Sequence, residues 1–261
     1  LNRTDLPFAA LRIEAKGGRK GEDIMTIAII AAMEEEAAAL KGRLEGIHTI
    51  AEAGGVFHKG KLGGKDVVLL ECGIGKANSA LTTALLIDKF KPELIIHYGA
   101  AGGLDPELQI GDIVVATELA YSDVDATAFG YAYGQVPQRP ARYAARPELL
   151  NFARRTLEGR SFGGRLVYGL ITTEDSFIHR PERAARIREL FPETRATDME
   201  GASIAQAAHQ FGVPLLVVRA LSDIAGREAA GSFKSYVDLA ASNSGNVAEL
   251  LAASYQENVL A

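Results

Sequence analysis

The chain has no tryptophan, three methionines and a single cysteine, Cys72. One cysteine forbids any intrachain disulfide framework, which makes the reducing cytoplasm the expected compartment. Cys72 closes an apolar run and reads as a buried core thiol, the common habit of free cysteine, rather than as a nucleophile. No apolar run reaches the roughly 18 residues that a membrane-spanning helix needs. Basic charge is not in excess either: 28 Lys and Arg stand against 33 Asp and Glu, a formal net charge of -5. That argues against a nucleic-acid partner, which would ask for a basic face.

Several familiar catalytic signatures are missing too. There is no GxxxxGK[ST] phosphate loop, and Asn78 stands where the last glycine of a dinucleotide fingerprint beginning at Gly73 would fall. The five histidines (positions 48, 58, 97, 179 and 209) are scattered, with no HExxH and no metal-ligand spacing. No GxSxG elbow supports a serine nucleophile.

What is present is an alternation of short apolar, β-branched runs with helical stretches, over a chain long enough to bury a large core. Residues 1–24, ending in the polar KGGRKGED, carry no apolar core for a secretory signal and read as an N-terminal extension or leader. Residues 25–261 show no repeat or composition break and read as one domain. Strands are expected at 25–32, 67–71, 94–98, 113–117 and 166–172, with Gly63-Gly64 as a hairpin turn before the second. Helices are expected at 33–44, 77–90, 148–158, 181–190 and 232–255. This pattern predicts a three-layer α/β/α sandwich around a mixed central sheet.

The stretch 195–225 (RATDMEGASIAQAAHQFGVPLLVVRALSDIA) is the most informative. It reads as a helix beginning just after Asp198, ended by Gly212 and Pro214, and then a buried strand from Leu215. Glu200 in the first helical turn and Asp223 just past the strand are expected at the carboxyl edge of the sheet, where α/β folds bind ligands. Residues 34–36 (EEE), 73–75 (GIG), 100–103 (AAGG) and 174–175 (ED) also follow strand ends, so one cleft is expected at one sheet edge. Each feature has a plainer reading. The acids could simply favour helix N-termini, and the glycines could serve ordinary turns. Their convergence favours a site.

The motifs AMEEE (32–36), GIGK (73–76), GAAGGL (99–104), GDIVV (111–115), DATAFGYAYGQVP (125–137), EDSFI (174–178), DMEG (198–201) and RALSDIA (219–225) together resemble the 5′-methylthioadenosine/S-adenosylhomocysteine nucleosidases of the nucleoside phosphorylase superfamily. The resemblance runs from Met25 to about Tyr255. It implies that Glu36 activates a water, and that Asp223 is the general acid at purine N7, with Ser222 and Arg219 in support. It implies that Glu200 holds the ribose hydroxyls beside Met199, that Phe177 stacks on adenine and that the Ile178 backbone bonds the base. Met33, Ile74 and Phe233 would line the ribose and alkylthio pocket, and Phe129, Tyr131 and Pro137 would be the loop that a homodimer partner inserts there. No cofactor or metal is implied. Ala100 stands where some members carry serine, removing one hydroxyl near the water.

The implied chemistry is hydrolysis of an N-glycosidic bond, in which the purine leaves neutral and water attacks an oxocarbenium-like sugar. Phosphorolysis is disfavoured because phosphate would face the glutamates of residues 34–36. Rival readings are a futalosine or aminodeoxyfutalosine hydrolase, a purine nucleoside phosphorylase, and a ligand-binding protein that keeps the fold without catalysis.

Overall fold

The structure, a computed structural model, describes residues 26–227 and 229–260; the N-terminal extension read at residues 1–24 lies outside the described residues. Ten strands are formed: β1 (Thr26–Ala31), β2 (Glu45–Glu52), β3 (Gly55–Leu62), β4 (Lys65–Glu71), β5 (Leu94–Gly103), β6 (Ile113–Tyr121), β7 (Tyr143–Ala144), β8 (Leu166–Thr173), β9 (Thr194–Asp198) and β10 (Leu215–Ile224). Six α-helices accompany them: α1 (Glu34–Lys41), α2 (Lys76–Phe90), α3 (Pro147–Leu157), α4 (Pro181–Leu190), α5 (Gly201–Phe211) and α6 (Ala229–Ser254).

The helix ends follow local chemistry. Pro147 and Pro181 open α3 and α4, where a missing N–H costs nothing. Gly212 caps α5 in the left-handed conformation, φ 73°. Pro92 follows α2, whose end turns at Lys91 with φ 48°. The sheet is mixed and covered on both faces. One apolar cluster packs Ala37 and Leu40 of α1, Leu149 and Phe152 of α3 and Val247 and Leu251 of α6 against β1, β5 and β10. On the other side Leu86 and Ile87 of α2 meet Ile204 and Ala208 of α5 over β1 and β4. This is the expected three-layer α/β/α architecture.

Five strands close on themselves: β5 pairs β10, β10 pairs β6, β6 pairs β8, β8 pairs β9, and β9 returns to β5. From this ring the sheet continues through β1, β4, β3 and β2.

The closure corrects the expectation of one sheet edge. Strands β1, β4, β5 and β10 run one way, whereas β6, β8 and β9 run the other. Their carboxyl ends meet because β5 and β9 overlap only at their tips, Gly102 opposite Thr197 and Gly103 opposite Ala196. Strand β9 itself was not expected, since its five residues lack an apolar run. Strand β2 was also unexpected, and its residues are all exposed. Asp223 lies inside β10, which runs six residues beyond the apolar run 215–218.

Candidate active site

Where the strand tips converge, a cavity of about 370 Å³ opens, and Glu36, Glu200 and Asp223 all line it. Glu36 arrives on the first turn of α1. As the third helical residue it accepts the N–H of Met33, at the N-cap, through Oε2 (3.2 Å). The same oxygen takes the Ala32 N–H at 2.8 Å, and Oε1 takes the Ala100 N–H at 2.7 Å. Three backbone donors therefore fix this buried carboxylate. Gly99 makes room for it, since a Cβ there would collide with both the Glu36 carboxylate and the Arg219 guanidinium. Glu34 and Glu35 are exposed instead. For those two, the plain helix-terminus reading is the right one.

Glu200 ends the turn before α5. Its Oε1 accepts the Gly75 N–H at 2.9 Å, a close approach to the loop after β4 in which Gly75 has φ 93°. Its Oε2 accepts from Arg219 at 3.0 Å. Arg219, fully buried on β10, also donates through Nε to Asp198 at 2.9 Å, contacts His97, and lies 3.8 Å from Glu36. Three buried carboxylates thus share one guanidinium. Burial pushes Glu200 up to about 7, Arg219 opposes this, and the neighbouring Asp198 and Glu36 add to it. His97 is held well below its usual value, by burial and then by Arg219, and is neutral. Donor atoms of His97, Asp198 and Glu200 lie within 4.8 Å of one another, a spacing that could suit a metal. The Arg219 guanidinium bonds all three and occupies the cation's place.

Asp223 stands apart from this charge cluster. It accepts the Ser222 hydroxyl at 2.8 Å and has no basic partner in hydrogen-bond or ion-pair range among the described residues. Burial raises its carboxyl to about 6, with Ser222 pulling the other way. A carboxylic acid protonated near neutrality can donate a proton.

Met33, Ile74, Ala100, Phe177, Ile178, Met199, Ser222 and Phe233 all line the same cavity. Phe177 and Phe233 meet edge to face at 5.7 Å across its mouth, and Ile74 forms an exposed lip. The loop bearing Phe177 is held from behind: the Ile178 carbonyl accepts the Gly226 N–H at 2.9 Å, and buried Glu174 takes Arg183 at 2.7 Å. Arg219 does not line the cavity but supports its carboxylates. Phe129, Tyr131 and Pro137 are not brought to the cavity of their own chain; Phe129 is 83% exposed.

Sequence reasoning missed Asp198 and His97 as partners of Arg219, and did not consider Thr197, Ser176 or the Ser79–Ser203 hydroxyl pair that holds α2 to α5 at 2.7 Å. One signal was available. An arginine inside the apolar run LLVVRAL must find buried acids.

Residues 26–255 match the model of the phosphorylase superfamily. A 5′-methylthioadenosine/S-adenosylhomocysteine nucleosidase of Listeria monocytogenes serotype 4b is 48% identical over 231 residues, covering 87% of this chain and 99% of the relative. The chain belongs to that nucleosidase family. The crystal structure of such a nucleosidase from Colwellia psychrerythraea, in complex with adenine, superposes with a TM-score of 0.84 at 45% identity, covering 87% of this chain and 94% of that one. A futalosine hydrolase of Helicobacter pylori also superposes, with a TM-score of 0.82 at 32% identity, over 87% of this chain and 97% of that one. Within the nucleosidase family the alanine at position 100 now has a structural context. Its backbone N–H, which any residue but proline would supply, already anchors Glu36.

Proposed function

We propose that the protein hydrolyses the N-glycosidic bond of 5′-methylthioadenosine and S-adenosylhomocysteine, releasing adenine and the 5-thioribose product. The observation that carries this reading is the placement, in one cavity, of a buried and unpaired Asp223 with two carboxylates anchored by backbone N–H groups. Asp223, protonated, donates to N7 so that adenine leaves as a neutral base. Glu200 accepts the ribose 2′- and 3′-hydroxyls, oriented by Gly75 and Arg219. Glu36 binds the attacking water and takes its proton as the sugar gains oxocarbenium character. Phe177 stacks on the base, and the Ile178 N–H remains for the base edge, its carbonyl being engaged by Gly226. Met33, Ile74 and Phe233 supply an apolar wall suited to an alkylthio group.

Water rather than phosphate is the nucleophile. Glu36, Asp198 and Glu200 around a single Arg219, rather than Glu34 and Glu35, supply the negative charge an incoming phosphate would meet. At about 4 Å and an effective dielectric near 20, each uncompensated carboxylate charge would cost a phosphate roughly 4 kcal/mol. A homodimer whose partner contributes Phe129, Tyr131 and Pro137 to the open lip completes the reading.

The test is adenine release from methylthioadenosine in phosphate-free buffer, with the sugar identified. Free 5-methylthioribose is expected; a sugar 1-phosphate formed only with added phosphate would make the enzyme a phosphorylase. The likeness to futalosine hydrolase gives a second reading, and turnover of aminodeoxyfutalosine in preference to methylthioadenosine would select it.

A further inference from the structure

His97 lies on β5 between β1 and β10, where Ile30 and Val217 are its Cα partners, and it is fully buried. Its two ring nitrogens meet groups of opposite kind. Nδ1 lies 3.0 Å from the Ile30 carbonyl, which can only accept, and Nε2 meets Nη2 of Arg219, which can only donate. Nδ1 therefore carries the proton, and Nε2 presents a lone pair. Burial first, and then the Arg219 charge, holds the ring well below its ordinary value, so it stays uncharged.

The same Nη2 serves Glu200. It has two hydrogens, and its two hydrogen-bond acceptors are His97 Nε2 and Glu200 Oε2, the latter at 3.0 Å. Asp198 Oδ2, which lies 2.9 Å from Nη2, is hydrogen-bonded through Nε–H instead. The hydrogens of a planar guanidinium are fixed relative to one another, so directing one at His97 aims the other at Glu200. Among the described residues, the other hydrogen bond to the Glu200 carboxylate is the Gly75 N–H on Oε1. A charged acceptor at position 97 would not serve, since Glu36, Asp198 and Glu200 already outnumber the one guanidinium.

We propose that His97 is a positioning residue for the ribose carboxylate: its Nε2 lone pair fixes the rotation of the Arg219 guanidinium, and with it the direction of Glu200. The role rests on the reading of Glu200 as the group that accepts the sugar hydroxyls. His97 does not itself line the cavity; it acts through Arg219. Without an acceptor at this place, one buried Nη2 hydrogen is left unpaired and is satisfied by turning toward Asp198 or Glu200, which draws the carboxylate out of its pose.

The experiment measures kcat/KM for methylthioadenosine, adenine affinity by calorimetry and melting temperature for wild type, His97→Leu and His97→Gln, with rates taken well below each melting temperature. His97→Leu should lower kcat/KM about tenfold, the loss of one well-directed hydrogen bond at a charged group. His97→Gln, whose side-chain carbonyl reaches about as far as Nε2, should recover most of that loss. In a Glu200→Gln background the leucine penalty should shrink to about twofold or less, because the carboxylate it acts on is gone. Adenine affinity should stay within about twofold of wild type, since the proposed contacts of the base are Asp223, Phe177 and Ile178. A lower melting temperature with unchanged kcat/KM would make His97 a core residue and overturn the inference, as would an equal leucine penalty in the Glu200→Gln background. Nitrogen NMR of wild type keeps the test decisive if His97→Leu does not fold. A neutral ring protonated at Nδ1 from about pH 6 to 8 is expected, and an Nε2–H ring or an imidazolium would overturn the role. Failure of wild type to release adenine from methylthioadenosine would instead overturn the nucleosidase reading, and this role with it.

Discussion

Asp223 is placed against the interest of the fold. Its carboxyl has a value near 6 in the folded protein against 3.8 for the free group, with burial as the main cause. The folded state therefore holds this proton more tightly than the unfolded chain does. With respect to this group, stability is greatest below about pH 4 and declines as pH rises through about 6. Two pH units at about 1.4 kcal/mol each put the loss near 3 kcal/mol at pH 8. Asp223 is thus a residue kept for chemistry rather than for stability. Asp223→Asn should melt higher than wild type at pH 8 and nearly alike at pH 4, while adenine release drops about 10²–10⁴-fold. Equal melting temperatures at pH 8 would count against a buried, ionising Asp223. In wild type the same group should give kcat/KM a decline above about pH 6. At this scale the sequence was informative wherever one residue sufficed. Glu36, Glu200 and Asp223 all reach the cavity. It was silent where meaning lies in a pair: Asp198 passes for a helix cap until Arg219, 21 positions away, is seen to bond it.

Among the elements, α1 makes the sharpest distinction. Three consecutive glutamates occupy its first turn, and helical geometry spreads them around the axis, so only Glu36 turns inward. Replacing Glu34 or Glu35 with glutamine should change kcat/KM less than about twofold and cost only tenths of a kcal/mol of helix-terminus stabilisation. Glu36→Gln should lower kcat by about 10²-fold or more with the fold intact. Steady-state kinetics on the three variants separates these outcomes, and similar losses in all three would refute the assignment of Glu36. The elements with strong periodicity were legible: β1, β4 and β10 as apolar runs, α2 and α5 as helices bounded by Pro92 and Gly212. Strand β9 was not. Thr194–Asp198 is short and polar in composition, and its strand character comes from pairing with β8, the strand before it, and with the distant β5. Strand β2, exposed throughout, shows no apolar alternation strong enough to read.

For the whole molecule, the open side of the cavity matters most. Ile74 and Phe177 at its lip are 48% and 39% exposed, and Phe129, away from the cavity of its own chain, is 83% exposed. These are large apolar groups to leave against water, and an interface would account for them. On the proposed homodimer, Phe129→Asp should shift sedimentation toward the monomer and raise KM for methylthioadenosine severalfold, because the lip of each site would lose its cover. A variant that sediments and turns over like wild type would remove the loop from the interface. The layered architecture was legible from the alternation of strands and helices, whereas the strand ring was not, because nothing in an apolar run states which way its neighbour points.

That ring also sets an order of assembly. Its closing contacts join β5, near residue 100, to β10, near residue 220, and long-range pairings of this kind form late in folding. Strand β10 brings Arg219, the cation shared by Glu36, Asp198 and Glu200, and Asp223 four residues later. While a ribosome is still making the chain, Glu36, Asp198 and Glu200 are all synthesised before Arg219, and without it their carboxylates have no shared cation. On the proposed mechanism the catalytic centre is complete only once the last strand docks, so a copy truncated before β10 should be silent as well as unstable.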